Sequence, residues 1–148
     1  IWGDSLRAGK AKRDNELGDL DVMVSVALAI GDDVSERLDW AKPQLALYIG
    51  GMGAKGRNFY HNIATGYGFG EAADRIQELY LSGKKVEAIA AVPDELVRNV
   101  SLIGPKGYVR ERIAAFAEAG VTTLLTTPVA ADGPESVRFV EELQELLP

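Results

Sequence analysis

No cysteine occurs in this 148-residue chain, which also holds only one histidine, two methionines and two tryptophans. The missing cysteines exclude a disulfide framework, a thiolate metal site and a cysteine nucleophile. A single histidine, His61, argues against a histidine-based zinc site, and no metal site is expected. No apolar run approaches the roughly 18 residues that a membrane span requires, so no membrane segment is expected. Basic clusters are missing as well: 16 Lys and Arg are dispersed among 22 Asp and Glu, for a net charge of −6. Nucleic-acid binding draws on a concentrated basic face, so that partner class is disfavoured. The opening residues Ile1-Trp2-Gly3-Asp4-Ser5 match neither a signal nor a transit peptide. A cytoplasmic enzyme, or part of one, is the expectation. Because the chain opens on Ile1 within an amphipathic stretch, it reads as a piece of something longer.

With 47% hydrophobic and 26% charged residues, the chain suits one globular domain over 1–148. Val22 to Ile30 is a continuous β-branched and aliphatic run, the pattern of a strand buried on both faces of a parallel sheet. Asp33 offers an N-cap for a helix in which Val34, Leu38, Ala41, Leu45 and Ile49 form one apolar stripe. Pro43 interrupts it. The stripe stays in phase across the proline, which favours a single kinked helix; the competing reading makes Gln44 to Ile49 a strand. Helices follow at Asn58 to Thr65, Gly70 to Ser82, Val86 to Val92 and Pro93 to Val100. From residue 100 the pattern sharpens to strand (Val100 to Gly104), helix (Pro105 to about Ala119), strand (Val121 to Thr127) and a last helix from Pro134. That helix is expected to turn Val137, Val140, Leu143 and Leu147 inward. Short connections of this kind predict a parallel α/β sheet. Three strands cannot close a barrel, which takes about eight, so sheet edges and an apolar face should favour a homo-oligomer.

The densest chemistry is Gly50-Gly51-Met52-Gly53-Ala54-Lys55-Gly56-Arg57-Asn58-Phe59-Tyr60. Glycines let backbone N–H groups approach an anion, so this loop is either a phosphate cradle or a lid. Gly51-x-Gly53-x-x-Gly56 matches the dinucleotide fingerprint literally, with Glu71 and Asp74 placed to reach a ribose. That Rossmann reading requires a strand at Gln44 to Ile49. The P-loop reading fails, because Arg57-Asn58 stands where the lysine and hydroxyl belong. As a lid, the loop would meet an anion through Lys55 or Arg57. Thr126 and Thr127, at the C-terminal end of a parallel strand, sit where α/β sites gather, as does Gly104-Pro105. His61 reads as packing or surface, and Glu71, Asp74, Glu78 and Glu87 as solvated helix faces.

Leu47-Tyr48-Ile49-Gly50-Gly51-Met52-Gly53-Ala54-Lys55-Gly56-Arg57-Asn58-Phe59-Tyr60 resembles the C-terminal part of luciferase-like monooxygenases, in the branch that uses a deazaflavin, coenzyme F420. Ala91 to Val97, Leu102-Ile103-Gly104-Pro105 and Gly120 to Leu124 share the likeness, which runs from about Leu20 to Val129. The resemblance implies the C-terminal part of a TIM (β/α)8 barrel, with three late strands and a helical insertion at 58–99. It implies hydride transfer between coenzyme F420 and a small organic substrate, with FMN as the alternative cofactor. Gly51, Gly53, Lys55, Arg57, Asn58, Thr126 and Thr127 are the candidate cofactor contacts; no catalytic residue carries over. On this reading the chain alone is inactive, and a non-catalytic self-associating module is the alternative from another class.

Overall fold

Three apolar runs pair in parallel to make the centre of the molecule, a sheet flanked by helices. The computed structural model describes residues 3–147; Ile1 and Trp2, the first two residues of the opening stretch, lie outside them. In chain order the elements are α1 (Gly3–Lys10), β1 (Met23–Ile30), α2 (Leu38–Ala46), α3 (Phe59–Gly66), α4 (Gly70–Leu81), α5 (Lys85–Ala90), α6 (Asp94–Asn99), β2 (Leu102–Gly104), α7 (Lys106–Glu118), β3 (Thr123–Pro128) and α8 (Gly133–Leu146). The strand order is β2-β1-β3. β1 pairs with β2 at Leu28, Ala29 and Ile30, and with β3 along six positions from Met23 to Leu28. β2 offers only three ladder residues, whereas β1 offers β3 a ladder twice as long.

The core is continuous: Leu28, Ala29 and Ile30 of β1 are fully enclosed with Leu102 and Ile103 of β2, Val109 of α7 and Phe139 of α8. The segment stays helical across Pro43, as the stripe predicts. A short tight turn at Ser35–Arg37 leads into α2, which carries Pro43 internally and widens at its end into one π-helical turn, Leu47–Gly51. Val34, Leu38 and Ile49 of the stripe are buried. No strand occupies 44–49, which removes the Rossmann alternative: the fingerprint needs a strand before its glycines and finds a helix. Asp33 caps nothing; the turn begins at Val34 without a side-chain cap.

Lys42 on α2 reaches Asp39 and Asp94, each at 2.7 Å, joining α2 to α6. Hydrogen bonds from Asp39 and then Asp94 hold its ammonium above the usual lysine range, so this link is present through neutral pH and is lost only as pH rises through that raised value. The inward face of α8 matches the expected one at Leu143 and differs at the other three positions. Phe139, Leu143 and Leu146 are buried, while Val137, Val140 and Leu147 are exposed. Both sets obey helical spacing, so periodicity could not choose between them.

Candidate functional site

The glycine loop is a closed turn with both ends pinned, and Asn58 does the pinning. The residue is 1% exposed. The amide nitrogen donates to the carbonyls of Tyr48 at 2.9 Å and Ile49 at 2.8 Å, at the end of the π-turn. The amide oxygen accepts from the backbone N–H groups of Tyr60 at 2.9 Å and His61 at 3.2 Å, capping α3. Two donors and two acceptors exhaust an asparagine side chain. Nothing is left over for a ligand.

The glycines are occupied in the same sense. A Cβ on Gly50 would lie 2.5 Å from Cβ of Tyr80 and 3.2 Å from the Ile76 carbonyl oxygen; one on Gly51 would lie 2.5 Å from Cε1 of the Tyr80 ring. A Cβ on Gly53 would meet Cα of Asn58 at 2.9 Å. Gly50 and Gly51 therefore let α4 lie against the π-turn, and Gly53 lets the loop close on itself. Gly56 alone serves conformation, with φ of +78° and open space around it. An anion approaching Gly51 or Gly53 from these directions would meet Tyr80 or Asn58 first.

What the loop presents to solvent is its cations. Lys55 and Arg57 are exposed, and neither makes an ion pair among the described residues. Lys55 also borders a cavity of about 250 Å³ with Asp74, Gln77, Glu78 and Leu81. Gln77 is buried there with its amide nitrogen unpartnered. Asp74 is bridged by His61 Nε2 at 2.9 Å, tying α3 to α4. That gives His61 a structural partner that no local motif announced. A second hollow, of about 270 Å³, belongs to the N-terminal segment and includes no candidate site residue.

Thr126 and Thr127 lie elsewhere. The π-turn packs on α2, α3 and α4, while β3 packs on β1 and α8. Thr126 is half-buried and Thr127 exposed, opposite Val26 and Ala27 of β1. The seven candidate residues thus fall into two groups held by different elements. Around the C-terminal ends of the strands, Arg37 reaches Glu135 at 3.0 Å, with both side chains largely enclosed. Glu135 also accepts from the Ala131 N–H at the start of α8. This pair joins the turn after β1 to the first turn of α8. The sequence carries no signal for it, because the partners are far apart and each looks like a helix-end charge. Gly104, with φ of +157°, sits against Tyr108, whose hydroxyl donates to the Arg98 carbonyl at 2.7 Å and is pushed above the usual tyrosine range by burial. Among the described residues, no group of three His, Asp or Glu side chains could hold a metal ion, and no helix is long and apolar enough to cross a membrane.

Comparison with known proteins gives three findings. The model of the luciferase-like monooxygenase family matches residues 1–123. A Mycobacterium tuberculosis protein whose name places it with coenzyme F420-dependent oxidoreductases is 35% identical over 122 residues, 82% of this chain and 35% of that one. The structure of the coenzyme F420-dependent tetrahydromethanopterin reductase of Methanopyrus kandleri superposes with a TM-score of 0.59 at 24% identity, covering 90% of this chain and 36% of that one. This last likeness is one of fold. The chain spans about a third of the length of these relatives.

Proposed function

The chain belongs to the luciferase-like monooxygenase family, with the α/β fold of part of a TIM barrel, and from that premise we propose that it forms part of a coenzyme F420-dependent oxidoreductase. On this reading the activity belongs to a barrel that includes these strands, residues 58–99 are a helical insertion in it, and the 148 residues alone are inactive. When bound, the deazaflavin supplies the hydride chemistry. The contribution of this chain is recognition.

The observation that carries the reading is the pair Lys55 and Arg57, displayed without ion-pair partners among the described residues on a loop whose ends Asn58 pins. Two cations on a fixed frame lose little freedom on meeting an anion, which favours binding of an anionic cofactor tail or substrate. The fit is confined to those two side chains. Gly51, Gly53 and Asn58 frame the loop, and Thr126 and Thr127 stand on the other group, away from it.

The test is a titration of barrel-length protein with oxidised coenzyme F420 and, in parallel, with FMN. Lys55→Ala with Arg57→Ala should weaken coenzyme F420 binding by about tenfold or more while leaving the unfolding midpoint unchanged. Unchanged affinity for both cofactors would remove the loop from the site. Tighter binding of FMN than of coenzyme F420 would overturn the cofactor assignment.

A further inference from the structure

We propose that the cavity between the glycine loop and α4 binds a small zwitterion of the amino-acid class. Gln77 and Lys55 take its carboxylate, and Asp74 and Glu78 its ammonium. The site shares Lys55 with the cofactor reading above and does not otherwise rest on it.

Asp74, Gln77, Glu78 and Leu81 stand at i, i+3, i+4 and i+7 of α4, so a single helix face supplies most of the lining. Lys55 comes to them from the loop. Gln77 is the unusual member. It is 3% exposed, and its amide nitrogen is buried without a hydrogen-bond partner. A buried amide costs free energy unless its donors are used, and a methionine would line the same wall without that cost. The open volume beside it, about 250 Å³, is far more than one water needs. An acceptor carried in by a ligand satisfies the donor and fills the space.

The charges around the opening select the class of ligand. Asp74 and Glu78 lie one turn apart with both side chains largely exposed, where like charges repel. His61 Nε2 meets Oδ1 of Asp74 at 2.9 Å, and Arg75 donates to Oε2 of Glu78 at 3.3 Å. Oδ2 of Asp74 and Oε1 of Glu78 have no hydrogen bond among the described residues. A lone anion drawn to Lys55 would face these carboxylates. A lone cation drawn to the carboxylates would face Lys55 and leave the Gln77 donor unused. A molecule carrying both signs answers every group, and half-exposed Leu81 offers apolar surface to a short side chain.

Three matched probes test this: L-norvaline; pentanoate, which lacks its ammonium; and butylamine, which lacks its carboxylate. Each is titrated into the isotope-labelled 148-residue chain and followed at the Gln77 side-chain amide and the Leu81 methyl resonances. Norvaline should shift both saturably, with an affinity about tenfold or more above that of either single-charge probe. Binding of pentanoate or butylamine as tight as that of norvaline would overturn the zwitterion assignment, and no saturable shift with norvaline would remove the site. Gln77→Met, read at Leu81, should weaken norvaline binding about tenfold and leave the unfolding midpoint unchanged or raised, because the donor it removes has no partner. Full affinity in that variant, or a lowered midpoint, would assign Gln77 to the fold and overturn the proposal. Lys55→Ala should weaken norvaline binding as well, whereas Arg57→Ala should leave it unchanged. The cofactor titration depends on both cations, so the two readings fail separately. Loss of norvaline binding in Arg57→Ala would put the ligand outside the cavity and overturn the site.

Discussion

The loop at 50–58 and the β3–α8 unit are both attached to the same core by polar contacts, and they are attached in opposite ways. The loop is held from inside. One buried asparagine satisfies four backbone groups, and three glycines admit Tyr80 and Asn58 into contact distances that any side chain would block. The β3–α8 unit is held by its ladder with β1 and by Phe139, Leu143 and Leu146 in the core, its polar fastenings lie at its ends, and large apolar residues still face solvent. Buried, fully satisfied polar groups are costly to disturb, whereas exposed ones contribute modestly. The difference teaches which part of this chain is held by buried polar groups and which by sheet pairing and apolar packing.

The sharpest way to break the contrast is Asn58→Ala. It orphans the Tyr48 and Ile49 carbonyls and the Tyr60 and His61 N–H groups, and should cost about 3 kcal/mol, read as a lowered urea midpoint. A loss no larger than that of a surface substitution would mean that water replaces the clamp. Next is Gly50→Ala, expected to cost about 2 kcal/mol because the new methyl meets Tyr80 Cβ and the Ile76 carbonyl, neither of which a ring rotation can clear. Gly56→Ala in the same loop meets nothing and carries only the positive-φ strain, about 1 kcal/mol. The ordering of these two separates packing from conformation.

On the other side of the comparison, Glu135→Gln should cost about 1 kcal/mol, since the Arg37 pair is partly enclosed and the Ala131 contact survives in weaker form. The smallest effect belongs to Asp21→Asn, measured as a pH series of unfolding midpoints. Hydrogen bonds from Thr122 and then Thr123 hold the Asp21 carboxyl below its ordinary value of 3.8. A lowered carboxylate pKa stabilises the fold above the ordinary value and ceases to do so as pH falls through the lowered one. The deficit of Asp21→Asn should therefore be constant at neutral pH and close below about pH 4. A deficit that persists in acid would assign the effect to packing.

Element types were legible along most of the chain. The stripe from Val34 to Ile49 stayed in phase across Pro43, and the structure keeps it helical, with a π-turn where the glycines begin. Boundaries moved by a residue or two, as at β2 and β3. The family was legible from the glycine loop and its companions, and the family match agrees. Less was legible of what the loop does. Gly50 and Gly51 look alike in a phosphate cradle and in a helix crossing, and only the arrival of Tyr80 from α4 tells them apart. Asn58 read as a ligand-facing polar residue because nothing local says that its amide turns inward. The face of α8 was misassigned because two apolar stripes share one helix, and the choice between them lies in what stands opposite.

By itself, then, the sequence determined which segments are helix and which are strand, and that the strands run parallel. Period, capping and turn residues act within a few positions, and chain order with short connections does the rest. The tertiary structure alone decided the strand order, the role of each glycine and the pairing of Arg37 with Glu135. Those depend on competition between edges and faces far apart in the chain. β3 pairs with the edge of β1 opposite β2, and no local pattern in either strand records that choice.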